Sequence, residues 1–299
     1  MRSEADDAGF GACLGANQTD HLDRVARLPF QINEDQPGRV LSHRAGNGLA
    51  AARERNRRAR RFGGRSNLRS EEEVVNDRDD HGKIIPDMLI RTAAVPPFYK
   101  NGYLVACAKT RAGVLIDPGD EVAGLLDAAE RERINVTKIL LTHAHLDHIT
   151  GVGAAKARLG VDVWLHKDDQ FLYDGVVEQG RMFGFHVERQ PPIDHFYETG
   201  QALSFGECTV DILHTPGHCP GGVCLAIGDA GDASRDLFVG DTLFAGSIGR
   251  TDLQGGDAAT LLRSIRTVLF AFPDETAVYS GHGPATTIGQ ERRTNPFLN

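Results

Sequence analysis

Between Val136 and Gly151 an apolar run, VTKILLT, passes without a spacer into HAHLDHITG. His143, His145, Asp147 and His148 place four metal-capable groups within six residues on what reads as an irregular turn. Imidazole nitrogen and carboxylate oxygen are the donor types of a hydrolytic zinc site, and alternation through a turn lets neighbouring side chains face different ions. A lone histidine is more often a core or surface residue than a ligand. Four such groups at this spacing reverse that expectation, and a two-ion site needs more ligands than one loop supplies.

The later sequence offers them in separate turns: His218 in HTPGHCPGG, Asp241 in LFVGDTLF and His282 in VYSGHGPAT. Each is flanked by glycine, which permits the tight backbone geometry needed to bring distant loops to one point. The apolar runs VDIL, LFVG and AVYS before them read as strands whose ends converge. Upstream, MLIRTAAV, GYLVACAK and GVLIDPG read as three strands separated by turn residues, and VTKILLT as a buried strand. Val122, Leu125, Leu126 and Ala129 recur at helical spacing, which predicts a helix over 121–134. No internal repeat interrupts this succession.

Residues 1–87 differ from the rest. They hold three of the twenty aromatics (Phe10, Phe30, Phe62) but fourteen of the twenty-seven arginines, with no sustained apolar period. Such a segment buries too little to offset its chain entropy, so it reads as disordered, or as the product of an over-extended start if Met88 is the natural one. Its charge is balanced, and the whole formal charge of -8 belongs to residues 88–299. The cluster RERNRRARR (53–61) could grip phosphates, but no aromatic is interleaved for base stacking and a solvated stretch is the simpler reading. Acids at Glu4, Asp6, Asp7, Asp20 and Asp23 argue against a transit or signal peptide, and no run reaches the length of a membrane span. Five cysteines without CxxC spacing (Cys13, Cys107, Cys208, Cys219, Cys224) suggest reduced thiols, with Cys107 and Cys224 in the core, and a cytoplasmic chain.

THAHLDH, the HTPGH turn, GDTLFAGSIGRTDL and SGHGPATTIG, in that order, resemble the metallo-β-lactamase superfamily, and within it the short, single-domain glyoxalase II-like (hydroxyacylglutathione hydrolase-like) branch. The resemblance covers 88–299 and implies an α+β fold, a four-layer αββα sandwich with metals at one edge of the paired sheets. It implies that His143, His145 and His218 hold one divalent ion, that Asp147, His148 and His282 hold the other, and that Asp241 bridges. Zinc is the first expectation, with iron or manganese as alternatives. Asp117 in LIDPG matches an acid that braces the metal loop without ligating. Asp147 and Asp241 would also act in catalysis. Two ions, these two carboxylates and a bridging hydroxide leave a residual charge of about +1, so the site would attract a small anionic substrate in an acidic domain.

The same resemblance implies hydrolysis of a thioester such as an S-acylglutathione by attack of that hydroxide, with Arg250 in SIGRTDL gripping a substrate carboxylate. In the tail, Arg292 and Arg293 in ERRTNPFL could add a second anion contact, with a purely structural tail as the equal alternative. A surface ion pair is the plain alternative for Arg250. Cys219 matches a small residue beside a ligand. His166, His186, His195 and His214 lie outside the ligand motifs; His214, in the turn that holds His218, either orients that loop by hydrogen bonding or has no role. Only seventeen residues follow His282, so a C-terminal helical domain like that of larger glyoxalase II enzymes is not expected. Residues 167–194 read as a lid insertion, a helix and then a Pro-rich loop, in which Phe171, Tyr173, Met182, Phe183 and Phe185 could line a pocket, with packing onto the sandwich the expectation for most of them. The rivals are a mononuclear-iron persulfide dioxygenase, which shares HITG and GRTD, a nuclease, disfavoured by the acidic domain, and a non-catalytic metal-binding module. Neither a membrane nor nucleic acid is an expected partner, and nothing in the pattern fixes an oligomeric state.

Overall fold

The computed structural model describes residues 88–198, 200–229 and 234–299. The disordered reading of 1–87 lies outside them.

Two six-stranded sheets carry the fold. The first contains Met88–Ala93 (β1), Gly102–Cys107 (β2), Ala112–Ile116 (β3), Asn135–Leu140 (β4), Asp162–Leu165 (β5) and His195–Phe196 (β6), in that spatial order. The second contains Ala202–Phe205 (β7), Cys208–His214 (β8), Val223–Asp229 (β9) and Asp236–Gly240 (β10). After a small hairpin of Leu243–Phe244 (β11) and Ser247–Ile248 (β12), it is completed by Ala277–Ser280 (β13) and Thr286–Thr287 (β14). Its order is β14-β13-β10-β9-β8-β7.

The strands alternate sides with period two, and the alternation sorts the core into layers. Tyr103, Val105, Val114, Ile116 and Leu140 of the first sheet meet Phe205, Val210, Val223, Leu225 and Phe238 of the second in one buried cluster. The intervening residues Leu104, Ala106, Leu115 and Ile139 face outward and pack under Val122–Arg131 (α1) and, past the short helix Leu146–Ile149 (α2), Val152–Leu159 (α3). On the far side Cys224, Ala226, Leu237 and Val239 lie under later helices that supply Leu261, Ile265 and Ile288. The result is helix, sheet, sheet, helix. Parallel pairing of β3 with β4 and of β4 with β5 follows from the helical crossovers between them.

Three elements differ from the sequence expectation. The helix expected over 121–134 stops at Arg131, because Arg133 takes φ 55° and Ile134 turns back to donate to the Ala129 carbonyl. The insertion 167–194 opens with a 3₁₀ turn at Lys167–Asp169, followed by two short helices, Gln170–Asp174 (α4) and Val176–Met182 (α5), that meet at Gly175. Within it Leu172, Tyr173 and Val176 are core residues, but Phe171, Met182, Phe183 and Phe185 are exposed, Met182 at 70%. Beyond Met182 the chain leaves the helix for an irregular stretch with Gly184 at φ 79°, which leaves Phe183 and Phe185 outside the core clusters.

The second helix layer also shapes the turn after β8. Gly217 has φ 133°, and its carbonyl accepts the backbone N–H of Asp257, which caps Ala258–Thr267 (α6) through Thr260. A Cβ at Gly217 would be driven into the backbone of Leu261. Gly217→Ala is expected to lower the unfolding free energy by about 2 kcal/mol or more. Gly124→Ala, in α1 with open space around it, is expected to be neutral or stabilising by up to about 1 kcal/mol. Urea denaturation of both variants checks the pair.

Candidate metal centre

Four strands end at the same edge of the sandwich, and each releases its chain into a loop bearing ligand-type side chains. β4 leads to His143, His145 and, on α2, Asp147 and His148; β8 leads to His218; β10 to Asp241; β13 to His282. The structure brings all seven together. Ligand atoms of His143, His145 and His218 lie within 4.8 Å of one another, and so do those of Asp147, His148 and His282. In the first set the rings stand nearly perpendicular, with His145 Nδ1 2.7 Å from His218 Nε2. In the second, Asp147 Oδ2 is 3.2 Å from His282 Nε2 and 3.7 Å from His148 Nε2. Asp241 stands between the sets: Oδ1 is 3.4 Å from His148 Nε2, and Oδ2 is 3.7 Å from both His218 Nε2 and His282 Nε2.

The backs of these rings are held, which fixes what their fronts do. Asp117 takes φ 48°, ending β3 and turning its carboxylate into the cluster. Its Oδ1 accepts the Thr142 N–H at 2.7 Å, and its Oδ2 accepts the Thr142 hydroxyl at 2.5 Å and His148 Nδ1 at 2.9 Å. With its proton spent on Asp117, the Thr142 hydroxyl accepts from His143 Nδ1 at 3.1 Å. His218 Nδ1 donates to the Arg250 carbonyl at 2.7 Å. Each Nδ1 proton is thereby placed on the outer side, leaving Nε2 with its lone pair toward the cluster.

Four buried atoms here, His143 Nε2, His145 Nε2, His148 Nε2 and Asp241 Oδ1, have no hydrogen-bond partner. Buried polar atoms left so are costly unless something else satisfies them. Cation ligation does so, and the donor set of imidazoles and carboxylates suits zinc, iron or manganese.

The electrostatics run the same way. Burial, reinforced by neighbouring imidazoles, pushes His143 well below the usual histidine range and His145 down to about 3, so both are neutral donors near pH 7. Burial opposes charge on His148 as well, yet Asp147 and Asp241 lift it to about 10. Against the pull of burial, His148 and His282 hold Asp147 down at about 2, and His282 and His148 hold Asp241 well below the carboxylate range. The two carboxylates thus favour positive charge at His148, and a bound cation would take the place of the proton that they otherwise hold there.

The remaining sequence candidates fall as follows. Arg250 sits beside the His218 loop, but the atom that touches His218 is its carbonyl; its guanidinium makes two 2.7 Å bonds to Asp252. Arg292 and Arg293 both bond Asp274, and Arg292 also donates to the Phe270 and Phe272 carbonyls, so they tie down the C-terminal helix. The buried Cys219 thiol donates to Asp169 Oδ2 at 3.1 Å. His214 Nε2 donates to the Pro220 carbonyl at 2.9 Å, within the His218 turn. His166, Asp168 and His214 form a further group of ligand-type atoms, but the two rings stack 4.3 Å apart at 11°, so their in-plane lone pairs do not converge on one ion.

Several supports had no signal in the sequence pattern. Asn101 donates to the Ser280 and Gly283 carbonyls on either side of His282, and Tyr103 also donates to Ser280. Lys100, buried, pairs with Glu121 at 2.7 Å and donates to the Asp117 carbonyl, holding the turn that aims Asp117. Each spans a long sequence separation that local periodicity does not encode.

The family model described as the metallo-beta-lactamase superfamily matches residues 95–282, which include all seven ligand candidates. The chain belongs to the metallo-beta-lactamase superfamily. It is 39% identical over 214 residues to the hydroxyacylglutathione hydrolase GloC of Haemophilus influenzae, covering 71% of this chain and 99% of that protein. Among solved structures it is similar to TTHA1623 in a di-iron-bound form, at 41% identity and TM-score 0.62, covering 70% of this chain and all of that one. It is also similar to ETHE1 from Myxococcus xanthus, at 30% identity and TM-score 0.57, covering 69% and 83%. The superfamily's layered architecture is the one described above.

Asp241→Asn is expected to lower metal content by at least one ion per chain and to abolish turnover, while the circular dichroism spectrum is retained, because an isosteric amide keeps the loop but removes the shared anion. Metal analysis of the purified variant checks this.

Proposed function

We propose that this chain is a metal-dependent thioester hydrolase acting on small anionic substrates such as an S-acylglutathione. The observation that carries the reading is the pair of ligand-type sets gathered on either side of Asp241, with His143 Nε2, His148 Nε2 and Asp241 Oδ1 buried and unpartnered between them. Divalent ions held there, zinc in the first instance, would make water nucleophilic near pH 7 and polarise the substrate carbonyl. The chain's own part is orientation. Asp117, Thr142 and the Arg250 carbonyl hold the outer nitrogens of three imidazoles, and Asp241 with Asp147 supplies the negative charge between them. Cys219 is engaged with Asp169, so the reading calls for no side-chain nucleophile.

Arg250 is the proposed substrate contact. Its exposed guanidinium lies next to the His218 loop and is held by Asp252, a partner that a substrate carboxylate can replace with the same two-bond geometry. Near the other ligand loops, Phe98 packs against the exposed Phe185 with ring centroids 5.2 Å apart. Lys100, two residues on, bridges to His282, and Gln179 of α5 bonds the Ala144–Leu146 backbone, so both apolar segments adjoin ligand-bearing loops. We place the less polar part of the substrate there. The comparison with GloC supports the thioester reading; the likeness to ETHE1, with HITG and GRTD in the sequence, keeps an oxygen-using iron enzyme as the competing one.

Protein purified without oxygen is expected to contain about two metals per chain and to hydrolyse S-D-lactoylglutathione or a related thioester equally with and without oxygen. In the same assay Arg250→Ala should raise KM more than it lowers kcat, since a remote clamp binds ground and transition states alike. One iron per chain, no thioesterase activity and oxygen uptake with glutathione persulfide would establish the competing reading.

A further inference from the structure

The loop from His143 to His145 lies between a strand and the start of a helix, and the Ala144 N–H and carbonyl and the Leu146 N–H find no backbone partner in either. Side chains of the insertion 167–194 take that role. Asp169 Oδ2 accepts the Ala144 N–H at 3.2 Å, Gln179 Nε2 donates to the Ala144 carbonyl at 3.1 Å, and Gln179 Oε1 accepts the Leu146 N–H at 3.1 Å. Ala144 stands between two ligand candidates, His143 and His145.

Asp169 does more than brace this loop. Its Oδ1 accepts the Gly221 N–H at 2.6 Å, and its Oδ2 accepts the Cys219 thiol, the residue after His218. The carboxylate is fully buried. A Cβ at Gly221 would lie 2.7 to 2.8 Å from Asp169, so glycine there lets the second loop approach. One side chain thus joins the segment carrying His143 and His145 to the segment carrying His218, and has no contact with the Asp147, His148 and His282 set among the hydrogen bonds of the described residues.

We infer that Asp169 is a positioning residue that sets the geometry of the His143, His145 and His218 site by clasping its two loops through Ala144, Cys219 and Gly221. The inference rests on the two-ion reading of the centre. It assigns the start of the insertion a fixed structural part in metal binding, in place of the moving cover that a lid implies. Three donors converge on the carboxylate, and an amide in its place turns an N–H₂ group toward one of them. Alanine removes all three acceptor contacts.

Full-length Asp169→Asn and Asp169→Ala, freed of metal by a chelator and titrated with Co2+ alone, test it. One of the two ions is expected to bind roughly 10–100-fold more weakly than in the unsubstituted chain. The visible absorption of that ion should shift, more for alanine than for asparagine, while the other ion keeps its affinity and spectrum. General loosening of the fold would weaken both ions together; that result overturns the inference, as does an unchanged affinity and spectrum for both. If the alanine variant does not fold, the asparagine variant decides, because it keeps the size and one acceptor oxygen. No substrate enters the titration. A selective loss in a chain that lacks thioesterase activity would sink the proposed reaction and leave Asp169 in place, whereas an active chain with unaltered Co2+ binding would do the reverse.

Discussion

Bringing imidazoles and carboxylates together where water is largely excluded is unfavourable unless each polar atom is spoken for. In this chain the outer nitrogens of His143, His148 and His218 are satisfied by protein groups, while the inner nitrogens of His143 and His148 and one oxygen of Asp241 are not. That division is the constraint on which the rest of the site depends. Asp117 is its pivot: a carboxylate at φ 48° receives Thr142 twice and His148 once, and through the Thr142 hydroxyl it also fixes His143. The buried Lys100 and Glu121 pair, which is costly by itself, is tied to the same turn and holds it in the conformation that aims Asp117.

The sandwich supplies the second requirement, convergence. Two sheets with inner faces pressed together bring the ends of β4, β8, β10 and β13 to one edge, so four segments far apart in sequence contribute to a centre a few ångströms wide. Glycines act where those segments touch. Gly217 lets the His218 turn lie against α6, and Gly221 lets it reach Asp169. The insertion is partly core by the same logic: Leu172, Tyr173 and Val176 join the first helix layer, and the side chains of Asp169 and Gln179 complete the backbone bonding of the first ligand loop.

The candidate ligands, which the structure brings together, were legible because their chemistry is local: HAHLDH compresses four donors into six residues, and the later three sit in short glycine turns after apolar runs. The strands were legible for the same reason, since period-two burial is written along each segment. What was not legible is whatever depends on a distant partner. Asp169 reads as one of two acids in KDDQ, and only its contacts with Ala144, 25 residues away, and with Cys219 and Gly221, 50 and 52 away, single it out. Arg250 drew attention for its guanidinium, yet the atom that orients His218 is a carbonyl, which every residue carries. The end of α1 turned on a left-handed arginine, Arg133, which helix periodicity does not foresee. Phe171, Met182, Phe183 and Phe185 look like core by composition, yet they are exposed while their neighbours Leu172 and Tyr173 are buried, a choice of side that so short a pair of helices does not write into periodicity.

The central claim is that one edge of this sandwich holds two ions that share Asp241. Its most direct test is a crystal structure of the metal-loaded protein with anomalous diffraction measured at the absorption edge of the bound metal. Two peaks about 3.5–4 Å apart are expected, one bound by His143, His145 and His218, the other by Asp147, His148 and His282, with Asp241 reaching both. A single peak, or a pair in which Asp241 touches neither ion, would contradict it.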